Sequence, residues 1–280
     1  HLMADDANFL NEQEVRRVNL VECLIEDHPH VPVPPSVCVN HWSEQQLRNY
    51  FEQAPERSQM YAARRGQRIG TFIEGPEGRL EADLAHGGGP PELGLVLLHP
   101  HPHMGGNMNN NVVQALYDEF RIRPGFCVCR YNSRGVGRSE GQCAADVHLE
   151  REDLRAVCHH LRRHEGVASI VIVGYSFGSL VTNSIAGEVP GVVGYVLVSY
   201  PYTMAPSRYE TMGAVPKLLL MGDKDAICLN YGGLQKYESF ALNMPASQSQ
   251  VFSGVDHFWV GAEHQLVKAV HEWISSVVQT

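Results

Sequence analysis

The chain has 280 residues, 44% hydrophobic and 19% charged, which is ample for a sizeable core and too weakly charged for a largely disordered chain. Its formal net charge of −9 and its short basic runs (Arg64-Arg65, Arg162-Arg163) exclude an electrostatic footprint for nucleic acid or an anionic membrane. Seven cysteines at irregular spacing make no disulfide framework, no apolar run approaches the ~20 residues that span a bilayer, and no signal-peptide pattern appears, so a cytoplasmic, reducing environment is expected.

His1-Leu2 ahead of Met3 reads as a cloning remnant and is left out of the fold. Residues 1–66 are read as a partly helical N-terminal extension. Asn11 to Asp27 carries a helical pattern, His28 to Pro35 is proline-rich and breaks it, and Ser43 reads as the N-cap of a helix over Gln45 to Gln53. Gln46, three residues on, completes a capping box. The extension either packs on the main domain or forms a homodimer contact, and no chemistry is visible in it.

The main domain takes up 67–280. Ile69 to Glu74 and Arg79 to Leu84 flank Gly75-Pro76-Glu77-Gly78, a hairpin by its turn residues and alternation. Leu93 to Leu98 is a near-continuous apolar run, as in a strand buried on both faces. A Gly- and Asn-rich loop follows, then a helix from about Asn111 to Phe120 and a strand from Phe126 to Tyr131. Cys127 and Cys129 lie two apart there, on one face, and read as small core hydrophobes. An amphipathic helix spans about Val147 to His164.

From Ser169 an apolar β-branched run leads into Gly174-Tyr175-Ser176-Phe177-Gly178, and a helical pattern continues to about Gly187. This is G-x-S-x-G with a strand before it and a helix after it, which would lift Ser176 out of the sheet on a sharp turn. Strands are expected at Val192 to Ser199, Lys217 to Met221 and Gln250 to Phe252, and helices near Leu234 to Leu242 and Ala262 to Val278. A hairpin followed by alternating strands and helices means a mainly parallel sheet of about eight strands with helices on both faces. Ligands of such sheets sit at the carboxyl ends of the strands.

A serine hydroxyl is a poor nucleophile at neutral pH, and it needs a base within hydrogen-bond reach and an acid to orient that base. On this architecture the order is serine, acid, histidine. After the Lys217–Met221 strand comes Gly222-Asp223-Lys224-Asp225, and after the last strand comes Val255-Asp256-His257-Phe258. Ser176, Asp225 and His257 are therefore the expected catalytic residues. Asp223 is kept as a second candidate for the acid, or as a brace of its loop. Asp256, adjacent to His257, is poorly placed to reach the correct ring nitrogen.

A tetrahedral intermediate needs backbone N–H donors. One is expected from Phe177. The other is expected from His99-Pro100-His101-Pro102-His103, where the prolines have no N–H and leave His101, or else His103.

The string LHPHPHMGGNMNNNVV at 98–113 resembles the strand-loop-helix signature of small lidless α/β-hydrolase-fold serine hydrolases, a group near the dienelactone hydrolases. RYNSRGVGRSEG at 130–141 is similar to their R-x-N-x-R-G-V-G-x-S segment. GYSFG, GDKDAI and DHFW fall where that family carries nucleophile, acid and histidine. The resemblance covers about 68–278 and implies the α/β-hydrolase fold, esterase-like chemistry, and the triad Ser176, Asp225 and His257. The family's acid loop usually continues with an acidic residue and Val-Pro, whereas this chain has Ala226-Ile227-Cys228.

Only Tyr200 to Val215 separates the sixth and seventh strands, too short for a sizeable lid. Tyr200, Tyr202, Met204 and Tyr209 there either line the substrate pocket or pack on the surface. His99, His101 and His103 alternate as zinc ligands can, but the prolines and Gly105-Gly106 suit an oxyanion loop better, and no metal is expected. Gly135-Val136-Gly137 lacks the third glycine of a dinucleotide fingerprint, since Glu140 stands there. Arg134 is read as a structural brace, with an anionic substrate group as its other possible partner.

The expected activity is hydrolysis of a small or medium carboxylic ester or thioester through an acyl-enzyme on Ser176, with no cofactor. A peptidase or amide hydrolase with the same triad is the alternative among enzymes, and a non-catalytic hydrolase-fold interaction protein the alternative outside them.

Overall fold

The computed structural model describes residues 43–52, 65–204, 213–230 and 232–278, together with the single residues 20 and 24. Two compact units are distinguished, 1–60 and 61–280. In the first, α1 spans Glu44–Glu52 and buries Leu47 and Phe51, one turn apart. Its start is the expected capping box: the Gln46 amide donates to Ser43 Oγ at 3.2 Å, and the Ser43 amide donates to Gln46 Oε1 at 2.7 Å. Of the expected helix over Asn11 to Asp27 only residues 20 and 24 are described, and both are helical.

The second unit holds an eight-stranded sheet. Its strands are β1 (Ile69–Gly75), β2 (Gly78–His86), β3 (Leu93–Leu98), β4 (Phe126–Tyr131), β5 (Ser169–Tyr175), β6 (Val192–Val198), β7 (Lys217–Gly222) and β8 (Ser247–Phe252). The spatial order is β1-β2-β4-β3-β5-β6-β7-β8. Only β2 runs antiparallel to its neighbours, and β3 to β8 pair in parallel throughout. This is the α/β-hydrolase fold expected from the sequence.

The helices are α2 (Asn111–Phe120), α3 (Val147–His164), α4 (Phe177–Ser184), α5 (Ala226–Leu229), α6 (Gly233–Asn243) and α7 (Glu263–Val278). Alternation along β3 shows how both faces are filled. Leu93, Leu95 and Leu97 enter the core with α2 and α7, while Val96 and Leu98 enter the core with α3, α4 and α6. Cys127 and Cys129 share the α3 face of β4, packed as expected.

Two details depart from the sequence reading. β8 starts three residues earlier than expected, because Ser247-Gln248-Ser249-Gln250 is an edge segment whose polar side chains hide its strand character. The short α5 has no expected counterpart. It begins where Asp225 caps it, accepting from the Cys228 amide at 2.9 Å.

The segment at 130–139 acts as a bracket for the loops near the strand ends. Buried Arg130 lies 2.8 Å from Asp83 Oδ2, donates to the Met108 carbonyl at 3.0 Å and covers the Tyr117 ring at 4.4 Å. Asn132 accepts from the Met108 amide and donates to Glu81, both at 2.8 Å. Buried Arg134 pairs with Asp153 at 2.7 Å, which is the bracing role expected for it.

Candidate active site

Ser176 sits between β5 and α4 with φ 53° and ψ −115°, in the left-handed half of the map that a side-chain-bearing residue rarely occupies. Two glycines make room for that turn. A Cβ on Gly174 would lie 2.4 Å from the Gly178 carbonyl oxygen, and one on Gly178 would lie 2.7 Å from the His99 carbonyl oxygen. No side chain fits either place, so the strand, the turn and the loop after β3 close on one another.

The turn presents Ser176 Oγ to His257 Nε2 at 2.9 Å. The other ring nitrogen, Nδ1, lies 2.9 Å from both Oδ1 and Oδ2 of Asp225. His257 comes from the loop after β8 and Asp225 from the loop after β7, so three parallel strands deliver the three groups at one sheet end. Asp225 is fully buried. Burial pushes its carboxyl up, but the contact with His257, the Cys228 amide and the Ser199 hydroxyl more than offset this, leaving it below the ordinary aspartate value. Asp223 points elsewhere: it accepts from the Gly254 amide at 2.7 Å and from Ser253 Oγ at 3.3 Å, bracing the loop that carries His257. Asp256 accepts from the Phe258 amide.

Four supporting residues escaped the sequence reading. The Tyr175 hydroxyl donates to the His257 carbonyl at 2.7 Å. Trp259 Nε1 donates to Ser199 Oγ at 2.9 Å, which lies behind Asp225. Ser199 and Trp259 have φ of 45° and 59°, so three strained residues, Ser176 included, gather at this centre. Cys228 donates its thiol to the Ser199 carbonyl at 3.0 Å and lies 3.7 Å from His257 Nδ1. It stands where the resembling family has proline, and a proline would have no N–H for Asp225. Trp259 was in view within DHFW, but nothing local marks its indole as a support for Ser199.

A cleft of about 480 Å³ opens over Ser176. Phe177 and His101 both line it, their rings edge to face at 5.0 Å, and neither backbone N–H donates to another group among the described residues. His103 is not part of the lining and its Nε2 meets the Cys143 carbonyl. His99 Nδ1 donates to the Pro100 carbonyl at 2.7 Å, and its Nε2 accepts from the Ser133 amide at 3.1 Å. Both nitrogens of His99 are thus engaged, and burial pushes its pKa down to about 4. A zinc site on alternate histidines is not what this loop builds.

The remaining lining is mostly apolar, including Leu180, Met204, Ile227 and Phe258, with Asn110 and Tyr175 as its polar members, and among the described residues it holds no Asp, Glu, Lys or Arg. Met204 therefore faces the cleft, whereas Tyr200 and Tyr202 are buried near Phe240 at ring distances of 6.0 and 4.8 Å. Tyr209 lies outside the described residues. No helix among the described residues is long and apolar enough to cross a membrane.

Comparison with known proteins agrees with this architecture. The family model described as serine aminopeptidase, S33 matches residues 95–212, a stretch that contains Ser176 and stops before Asp225 and His257. An uncharacterised protein of Rickettsia prowazekii is 28% identical over 216 residues, covering 74% of this chain and 88% of that protein. An α/β serine hydrolase homologue from Coxiella burnetii is 28% identical, covers 72% of this chain and 94% of its own, and superposes with a TM-score of 0.61. An α/β serine hydrolase without lid from Xanthomonas campestris is 22% identical, with 75% and 94% covered and a TM-score of 0.63. The resemblance read from the sequence therefore holds: the chain is similar to lidless serine hydrolases of the α/β-hydrolase fold.

Proposed function

We propose that this chain, with its α/β-hydrolase fold, is a serine hydrolase that cleaves uncharged carboxylic esters or thioesters of small or medium size through an acyl-enzyme on Ser176. The observation that carries the reading is the hydrogen-bonded line Asp225–His257–Ser176, opening on an apolar cleft. Ser176 Oγ attacks the carbonyl carbon as His257 Nε2 takes its proton. The Phe177 and His101 amides donate to the oxyanion that forms. Collapse breaks the bond to the leaving oxygen or sulfur, which takes the proton from His257. Water then attacks the acyl carbon, His257 takes and returns a second proton, and the carboxylic acid leaves. Asp225 holds His257 in the tautomer with Nδ1 protonated and stabilises its charged form.

Among the described residues no Asp, Glu, Lys or Arg lines the cleft, which supports an uncharged acyl chain, and the short 199–216 connection supports an open site that works on dissolved substrate. Free thiols at Cys127, Cys129, Cys143, Cys158 and Cys228 support a reducing, cytoplasmic setting.

The name of the matched family model favours a second reading, removal of an N-terminal residue from a peptide. Such a substrate brings a free ammonium into the site. Among the described residues no carboxylate lines the cleft to receive it, so the ester reading is preferred.

The test is labelling by a fluorophosphonate, beside Ser176→Ala. Wild type labels and the variant does not. An unlabelled wild type overturns the hydrolase, and equal labelling overturns Ser176. A p-nitrophenyl ester series set against aminoacyl p-nitroanilides separates the two readings, with turnover expected on the esters.

A further inference from the structure

At the opposite end of the sheet from Ser176, an imidazole, a thiol and a carboxylate converge. His86 closes β2 and Cys127 is the second residue of β4, and the two are direct partners in the antiparallel register. Both side chains lie on the α3 face of the sheet. The chain leaves α3 at Glu165, immediately after His164, so its carboxylate arrives over the same spot. His86 Nε2 is 2.9 Å from Glu165 Oε2, and His86, Cys127 and Glu165 each bring one donor atom to within 4.8 Å of the other two. His160, near the end of α3, stands beside this group with Nε2 3.7 Å from Glu165 Oε1, outside the three converged donors.

We propose that His86, Cys127 and Glu165, with the partly exposed His160 swinging in as fourth ligand, form a binding site for a zinc-like divalent cation, separate from the catalytic centre. The donor set selects the ion. One thiolate, two imidazoles and one carboxylate suit Zn²⁺, whereas Ca²⁺ and Mg²⁺ want oxygen alone. Zn–S of about 2.3 Å and Zn–N or Zn–O of about 2.0–2.2 Å put tetrahedral donors roughly 3.3–3.7 Å apart. The His86–Glu165 contact has to open by less than about 1 Å to reach this. Cys127 gives up its proton to solvent on binding, so thiolate and carboxylate together neutralise the ion. His86 and Cys127 are buried, while Glu165 and His160 remain partly exposed and give the ion a way in. A bound ion would fasten the end of α3 to β2 and β4. The sequence reading expected no metal, and no spacing motif exists here, because the donors stand at 86, 127, 160 and 165.

The experiment is a titration of the full chain with Co²⁺, read by the sulfur-to-cobalt charge-transfer band, and with Zn²⁺, read by equilibrium dialysis and Tm. Wild type is expected to take one equivalent, show the band, and gain several degrees in Tm. Cys127→Ser loses the band, and Glu165→Gln and His86→Gln lose at least tenfold in affinity. Cys228→Ser keeps the band, which separates this site from the thiol beside His257. A missing band in wild type, a band that survives Cys127→Ser, or one that disappears with Cys228→Ser overturns the proposal. If Cys127→Ser does not fold by circular dichroism, Glu165→Gln decides: unchanged stoichiometry and affinity there overturn it as well.

Discussion

The α-carbon of Gly178 is pressed so closely against the His99 carbonyl that a Cβ there would sit 2.7 Å from its oxygen and 2.8 Å from Leu98 Cβ. The turn that carries Ser176 and the loop that carries His101 are thereby held at a fixed separation. Gly178→Ala must push β3 and its loop away from α4. We expect a loss of about 2–3 kcal/mol in stability, as for other overpacked sites, and a fall in kcat larger than the change in KM. A variant with wild-type kcat on a p-nitrophenyl ester would show that this contact does not set the oxyanion geometry.

Asp225 and Asp223 are two residues apart in one loop, yet only Asp225 meets His257. Asp225→Asn should lower kcat on the order of 10³–10⁴-fold, since an amide favours the wrong tautomer of the imidazole. Asp223→Asn should keep kcat within about threefold and cost no more than about 1 kcal/mol. Steady-state kinetics on both variants decide, and a reversed ranking would move the acid to Asp223.

Arg134 is buried against Asp153 at 2.7 Å and Glu77 at 3.0 Å, and it also donates to the Leu149 carbonyl. Removing it leaves the Asp153 carboxylate buried without its cation. Arg134→Ala is expected to lose about 3–5 kcal/mol by urea denaturation. If Arg134 instead met a substrate anion, KM for acidic esters would rise sharply while stability stayed put.

Glu150 is buried beside Ser133, and its Oε1 has no hydrogen-bond partner among the described residues. Burial pushes its carboxyl up to about 7, above the 4.5 of an ordinary glutamate. Between these values the folded chain holds a proton that the unfolded chain has released, so this group's contribution falls as pH rises from 4.5 to 7. Glu150→Gln should therefore gain more Tm over wild type at pH 8 than at pH 5. A pH-independent difference would remove Glu150 from the account.

His99 has the opposite slope. Its folded pKa of about 4 lies below the ordinary 6.5, so its contribution is lost as pH falls from 6.5 towards 4. Protonation also removes the acceptor for the Ser133 amide. His99→Asn should flatten the decline of Tm over that interval, which thermal denaturation in a pH series would measure.

Most elements of the main domain were legible because their signals are local. The apolar run of β3, the Asn110-capped α2 and the strand-turn-helix around Ser176 each declare themselves within about ten residues. β8 did not, since an edge strand can be polar along most of its length. By itself the sequence determined the sheet, the order of the loops at its carboxyl end, and which serine and histidine are proposed as nucleophile and base. Only the tertiary structure separated Asp225 from Asp223 and drew Ser199, Trp259 and Cys228 around the proposed triad. It also brought His86, Cys127 and Glu165 together, with His160 beside them. The physical reason is range. Periodicity and turn chemistry act between neighbours in sequence, whereas hydrogen bonds of 2.9 Å depend on ångström-level placement of residues that are 32 and 81 apart and meet only when β5, β7 and β8 lie in one sheet.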